Sequence, residues 1–436
     1  MAKAYSVRTP PPFSRLPMPV SSSTVTIAQG KRRVPARGRL ASGLALMAVA
    51  ALGMAGCTSG ASSTVASTHQ ASPGGASSPA LTLPQAQAAY RAYIATSDRA
   101  AATGNRSLAL SVVNGVQAAF VDTQFNVARA THAKPSFPRY SYGIPAFFLP
   151  EAAPAGDPQY FVVSADRAPV AVTGTAATSA ATSAATSAAG SATAAPGGVP
   201  SPGLAAGVAL PAQGHVLMLF EQPATGAPWR LASTSQLAPG QSVPKLATDS
   251  HGYVRTESMS APDASQLVRP ALAGPLQAAV VDDGPASAAS RVVANGPLTT
   301  GMYEMARASA RGISAPPGDA YQWMLEGSNY AHLALRTAGG GALVLYAMYL
   351  NTLVQTPSVV AQADPLAPGP PITIPDYLKA LMPGGRPPAR YRLLAEDVLS
   401  FAAVDPPAPG PGTQGGTAGK IQVIAIGGGV RYASAS

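Results

Sequence analysis

Histidine and cysteine are the side chains best suited to metal binding and nucleophilic chemistry, and their spacing here excludes most of it. His69, His132, His215, His251 and His332 each stand alone in their segments, and Cys57 is the only cysteine. Zinc sites draw three or four ligands, commonly from short repeats such as HExxH or CxxC. Neither repeat occurs, so the sequence implies no metal and no cofactor. The GxSxG turn that presents a nucleophilic serine is also absent. Ser242-Val243-Pro244-Lys245 has the SxxK spacing of a serine–lysine pair. It lies in Pro/Gly-rich chain with no KTG after it, and it reads as a turn. A phosphate loop needs a helix after its glycines. Apolar strand follows Gly341, so Gly339–Gly341 reads as a hairpin turn. Asp282-Asp283-Gly284 lacks the other ligands of a calcium loop and reads as a helix end.

Aromatic residues give the strongest binding signal. Phe137, Tyr140, Tyr142, Phe147, Phe148, Tyr160 and Phe161 place seven of the 26 aromatics in 25 residues. Lining a concave sheet, such rings hold an apolar ligand or a partner; packed together, they are a sheet core. Tyr140, Tyr142, Phe148 and Tyr160 are the candidate binding residues.

Cys57 has a different chemistry. Residues 31–39, KRRVPARGR, are strongly basic, and Leu40 to Gly56 are uncharged and rich in Ala and Leu. Seventeen residues are short for a bilayer span of about 20. A basic block, a short apolar core and small residues at its end describe a secretory signal. Met54-Ala55-Gly56-Cys57 resembles the lipobox of bacterial lipoproteins. That resemblance implies a diacylglyceryl thioether on Cys57 and cleavage between Gly56 and Cys57. Residues 1–30 are long for such a signal, and Met18, Val25 and Val34 are alternative starts. Arg32-Arg33 leaves both the general and the twin-arginine export routes open.

The net charge of +10 belongs mostly to this segment. Residues 1–56 carry eight Lys or Arg and no acid, which leaves +2 for the rest. No basic run follows residue 57, so a nucleic-acid partner is not expected. Only 11% of residues are charged, and Gly and Pro together number 87 of 436. That argues against one helical domain and for long loops.

The remaining chain shows two units behind a tether. Residues 57–82 are rich in Ser, Thr, Gly and Ala and read as a disordered, lipid-anchored tether reaching roughly 25–30 Å. Residues 83–260 form the first expected domain. A helix starts near Leu83, with Pro84 in its first turn, and ends at Gly104-Asn105. A second runs from Ser107 to about Ala130. Tyr160–Val163, His215–Gln222 and Trp229–Ser235 read as strands, the last two as a hairpin. Between Tyr160–Val163 and His215–Gln222, 172–214 is a low-complexity insert dominated by an Ala-Ala-Thr-Ser repeat, read as a disordered loop within one sheet. Residues 261–436 form the second domain. Its helical patterns cover Gln266–Val281, with a break at Gly274-Pro275, and a stretch around Met302 ending near Gly312. Its strands cover Tyr330–Thr337, Ala342–Leu350, Arg390–Val404 and Lys420–Ile426.

Each unit thus places helices first and a curved antiparallel sheet after them, an α+β class. Tandem duplication explains that order, although no residue-level repeat is visible. The order resembles the cone-shaped fold of nuclear transport factor 2 and its bacterial relatives. Some members of that fold are isomerases or dehydratases with an acidic or His/Asp base in an apolar pocket. By that resemblance Asp98, Asp122 and His132 become candidate catalytic residues. A second resemblance is to uncharacterised lipoproteins of actinobacteria. It rests on Trp229-Arg230-Leu231, Lys245-Leu246-Ala247, Asp249, Gly252, Leu335-Arg336-Thr337 and Gly341-Ala342-Leu343-Val344, and covers 83–436. The function expected is that of an exported lipoprotein on the outer face of the cytoplasmic membrane. It binds an apolar small ligand or an envelope partner without catalysis. The alternative is a membrane-tethered isomerase or lyase. Neither reading specifies an oligomeric state.

Overall fold

The structure, a computed structural model, describes residues 81–133, 138–151, 157–170, 213–260, 266–313, 320–355, 374, 376–382, 392–409 and 419–435. The readings for the signal segment, Gly56, Cys57, most of the tether, Phe137, the insert up to 212 and the boundary at 261 lie outside these residues.

Three helices open the first half. The α1 helix (Leu83–Thr103) starts at a reciprocal cap, in which the Thr82 N–H donates to Gln85 Oε1 at 2.9 Å. It ends at Gly104, whose φ of 64° suits glycine. Asn105 caps α2 (Arg106–Ser111), its side chain accepting from the Leu108 N–H at 2.9 Å. The single helix expected over 107–130 is interrupted before α3 (Gly115–Ala130). Its Val112–Asn114 segment leaves helical geometry to form a parallel bridge with Leu231. Five strands follow: β1 (Tyr140–Tyr142), β2 (Ala146–Phe148), β3 (Gln159–Pro169), β4 (Gly214–Gln222) and β5 (Arg230–Leu237).

The second half repeats the order with α4 (Ala273–Asp283) and α5 (Thr300–Ile313), then β6 (Ala320–Gly327), β7 (Leu333–Arg336), β8 (Ala342–Gln355), the one-turn α6 (Asp376–Lys379), β9 (Arg392–Asp405) and β10 (Gln422–Ala435). Gly274-Pro275 does not break a helix. It lies in the first turn of α4, where a missing proline N–H costs no helical bond.

The class is therefore α+β with helices ahead of antiparallel strands in each half, as expected. The strands of both halves join one ten-stranded sheet, ordered β1-β3-β4-β5-β10-β9-β8-β6, with β2 also on β3 and β7 also on β8. The order is a palindrome about β5 and β10. Two short strands pair with β3 in one half and with β8 in the other, and every later pairing matches.

The irregularities match too. Between β4 and β5 the register passes from Leu219↔Ser233 to Phe220↔Leu231, skipping Ala232. Between β9 and β10 it passes from Ala402↔Ala425 to Ala403↔Val423, skipping Ile424. Aligning the bulges makes Leu219 equivalent to Ala402 and Ser235 equivalent to Gly427. The β5–β10 seam pairs Gln236 with Ile426 and Leu237 with Ala425, so the next step brings Ser235 opposite Gly427. A pseudo-twofold axis passes between those two residues. The Val113↔Leu231 bridge is similar to Val293↔Ile421, which lies two residues from the position the bulges align, and each is flanked by the same pair of backbone hydrogen bonds. The two halves are thus related by internal pseudo-symmetry in backbone register, which their side chains do not display.

Alternation along the strands divides the core. One face of β3 and β4 carries Phe161, Val163, Val216, Met218 and Phe220 against Ala86 and Tyr90 of α1. The equivalent face of the second half carries Val344, Tyr346, Leu399 and Phe401 with Val280 of α4 and Met302 of α5. On the opposite face, Val162, Leu217, Leu219, Leu343, Leu345 and Ala402 share one apolar cluster across the seam.

Candidate functional site

The aromatic residues singled out from the sequence are divided between the two faces. Tyr142 and Phe147 pack with Tyr90, Phe161 and Phe220, whereas Phe148 and Tyr160 pack with Val162, Leu217 and Leu219. Tyr140 lies beneath the Arg167 guanidinium, 4.4 Å from its ring centre. The four candidate binding residues therefore do not share one cleft. Phe161 stacks on Phe220 at 4.6 Å, and Tyr90 meets Tyr142, Phe147 and Phe220 edge-on. This is a filled core, and burial raises Tyr90 to about 12 and drives Tyr142 upward too.

A cleft of about 600 Å³ opens beside that core. The first helix supplies Gln85, Ala89 and Tyr93 along one wall, and the end of β4 with the β4–β5 connection supplies Gln222, Pro228 and Trp229 along the other. Trp229 meets Phe161 edge-on at 4.9 Å, so its ring is held from below. Among the described lining residues there is no Asp, Glu, Lys, Arg or His. Tyr93 is the one titratable group, and burial raises it to about 12, so it stays a neutral donor. An uncharged ligand with an apolar surface and a few hydrogen-bonding groups fits such a lining.

The catalytic candidates Asp98, Asp122 and His132 are not brought together at a pocket. Asp98 faces Arg139 at 3.4 Å. Asp122 accepts from Arg106 Nε at 2.8 Å and from Asn126 Nδ2 at 3.2 Å. His132 is exposed in the turn after α3, with a φ of 52°. Both carboxylates are paired with arginine and partly exposed, Asp98 at 37% and Asp122 at 36%.

Two polar arrangements had no signal in the sequence. On β3, Ser164 and Asp166 are two residues apart and so share a face, and the register sets His215 of β4 opposite Asp166. His215 Nδ1 lies 2.8 Å from Asp166 Oδ1, and Nε2 lies 2.5 Å from Ser164 Oγ. In the second half, Asp397 of β9 has no exposed surface, and neither carboxyl oxygen has a hydrogen-bond partner among the described residues. Burial, with a smaller push from Glu396, raises it to about 8. Among the described residues no group of three or more His, Cys, Asp or Glu is placed to hold a metal ion.

Residues 77–423 match the family model described as "Domain of unknown function (DUF8094)". The chain belongs to this family. Comparison with curated proteins and with solved structures finds no match. No residue of the DUF8094 domain therefore takes a role from a characterised relative, and the geometry above has to carry the functional reading.

Proposed function

We propose that this chain is an exported lipoprotein, anchored through Cys57 to the outer face of the cytoplasmic membrane. Its DUF8094 domain binds an uncharged, largely apolar small molecule or an envelope partner. The observation that carries the binding half is the cleft between α1 and the β4–β5 connection. It joins the Trp229 and Tyr93 rings to the amides of Gln85, Gln159 and Gln222 and has no charged group among its described lining residues. Apolar walls with a few convergent polar groups are the usual make-up of a small-molecule site. The anchoring half rests on the lipobox at 54–57 and the Ser/Thr/Gly tract after it, a tether long enough to lift a domain off the headgroups. No described helix is long and apolar enough to cross a membrane.

Native mass spectrometry of protein taken from the native envelope tests the binding site. The expected result is a co-purifying uncharged species that is lost from Trp229→Ala while the far-ultraviolet spectrum is kept. The same species retained by Trp229→Ala, or wild-type protein that carries none, contradicts the assignment of the cleft.

A further inference from the structure

The two halves differ most sharply at one pair of equivalent surfaces. The matching bulges make Ser164 equivalent to Ala347, Asp166 to Tyr349 and His215 to Val398. In the second half this surface is apolar, and Val116 of α3 packs with Ala347 and Val398, with Ala119, Tyr330 and Tyr349 around them. In the first half the same positions are Ser, Asp and His. Helix α5 does not serve as their cover, because its Met302 joins the core on the other face, with Val280 of α4. A surface that one half closes with apolar packing is polar and hydrogen-bonded in the other.

We infer that Ser164, His215 and Asp166 form a nucleophile–base–orienter set that hydrolyses carboxylic esters. The hydrogen-bond pattern assigns the roles. A carboxylate only accepts, so His215 Nδ1–H donates to Asp166 Oδ1 at 2.8 Å. In the neutral ring Nε2 is then left as an acceptor, and the Ser164 Oγ–H donates to it at 2.5 Å. A hydroxyl hydrogen-bonded to an imidazole that a third group orients is the signature of an activated serine, whatever the fold or chain order. Ser164 itself is buried, at 4% exposed, while the His215 and Asp166 side chains beside it are 37% and 83% exposed. The first strand pairs with 167–169 and the second with 162–164, so Gly143, Ile144 and Pro145 bend past Ala165 and Asp166 with one backbone bond, Gly143 N–H to Asp166 O at 2.9 Å. Ile144 is 98% exposed on that bend.

The chemistry balances without a cofactor. Oγ of Ser164 adds to the ester carbonyl carbon as its proton passes to His215 Nε2. Collapse breaks the carbon–oxygen bond to the alcohol, which leaves with that proton. Water then repeats the sequence on the acyl-serine, releases the acid and restores Ser164. Esters are favoured over amides because the Asp166 side chain is 83% exposed and only weakly insulated from water, and an alkoxide leaves more readily than an amine.

The test is covalent labelling of the folded, full-length chain with diisopropyl fluorophosphate, located by peptide mapping. The expected result is one adduct on Ser164, formed at least tenfold more slowly in His215→Gln and in Asp166→Asn. Recovery in Asp166→Glu separates orientation of the imidazole from a general loss of structure. Hydrolysis of p-nitrophenyl acetate should follow the same order. A folded wild-type chain that forms no Ser164 adduct, or an adduct whose rate is unchanged in His215→Gln, overturns the inference. Neither result bears on the Trp229 cleft, which is judged by its own ligand.

Discussion

Gly427 of β10 approaches the carbonyl of Thr234 on β5 so closely that a Cβ there would lie 1.8 Å from the oxygen. The seam between the halves passes through this point. Ser400 of β9 reinforces it, accepting from Ser235 Oγ and donating to the Thr234 carbonyl, both at 3.0 Å. Gly428 follows with a φ of 103°, where a Cβ would fall 2.0 Å from the Val398 carbonyl. Backbone stands on both sides, so no side chain can move aside. Gly427→Ala is therefore expected to cost about 3 kcal/mol or more. Chemical denaturation of the purified chain checks this, and a loss below 1 kcal/mol would mean that the strands are further apart.

Gly340 and Gly341 form the β7–β8 turn, with the Thr337 N–H donating to the Gly341 carbonyl at 2.8 Å. Gly340 holds a φ of 92°, so Gly340→Val should cost ~1 kcal/mol or more from backbone strain alone. Gly341→Val should cost more, because a Cβ would lie 2.1 Å from the Asp405 carbonyl. Thermal melting of the two variants gives the order directly, and an equal or reversed order would count against this turn geometry.

Stability should fall as pH rises. Below about pH 4 Asp397 is protonated in the folded and the unfolded chain alike. Above that the unfolded chain gives up its proton, while the folded chain keeps it to about 8. The folded state then holds the extra proton, so stability present at low pH is lost progressively and the loss is complete near pH 8. Asp282 and Asp405, each raised to about 6 by burial, act in the same direction over a lower range. Denaturation midpoints measured at pH 5, 7 and 9 should decrease in that order. Asp397→Asn should flatten the change between pH 6 and 9, and an undiminished slope in that variant would place the cause elsewhere.

Loop length between β3 and β4 should matter little. Asp166 faces His215 and Arg167 faces Gly214, so the ends of the low-complexity tract emerge side by side. Closure entropy changes by only about 0.6 kcal/mol per doubling of length. Replacing residues 173–211 with a six-residue Gly/Ser turn is expected to change stability by less than ~2 kcal/mol and to slow proteolysis. Failure to fold would assign the tract a structural role.

Much of the frame was legible because it follows from local chemistry. The capped start of α1, the continuous apolar run of β4 and the glycine turn before β8 each declare themselves within a few residues. The sixth strand did not. AYQWMLEG has no β-branched residue, and its Met324 is half exposed at the sheet edge. The strand expected over Lys420–Ile426 continues to Ala435 as β10, and at Gly427 and Gly428 close backbone approach requires glycine inside it. The Ser164–His215–Asp166 set was hidden for another reason. Its members become neighbours only through the β3–β4 register, and a long repeat separates them in sequence.

The proposed location rests on one covalent bond, and mass spectrometry of the mature amino terminus tests it most directly. Protein from the native host's membrane fraction should begin at Cys57 and carry a diacylglyceryl group on its sulfur, since two acyl chains give stable attachment and one does not. Cys57→Ser should lose both the lipid and the cleavage. A mature chain with an intact Gly56–Cys57 bond and an unmodified thiol would contradict the account.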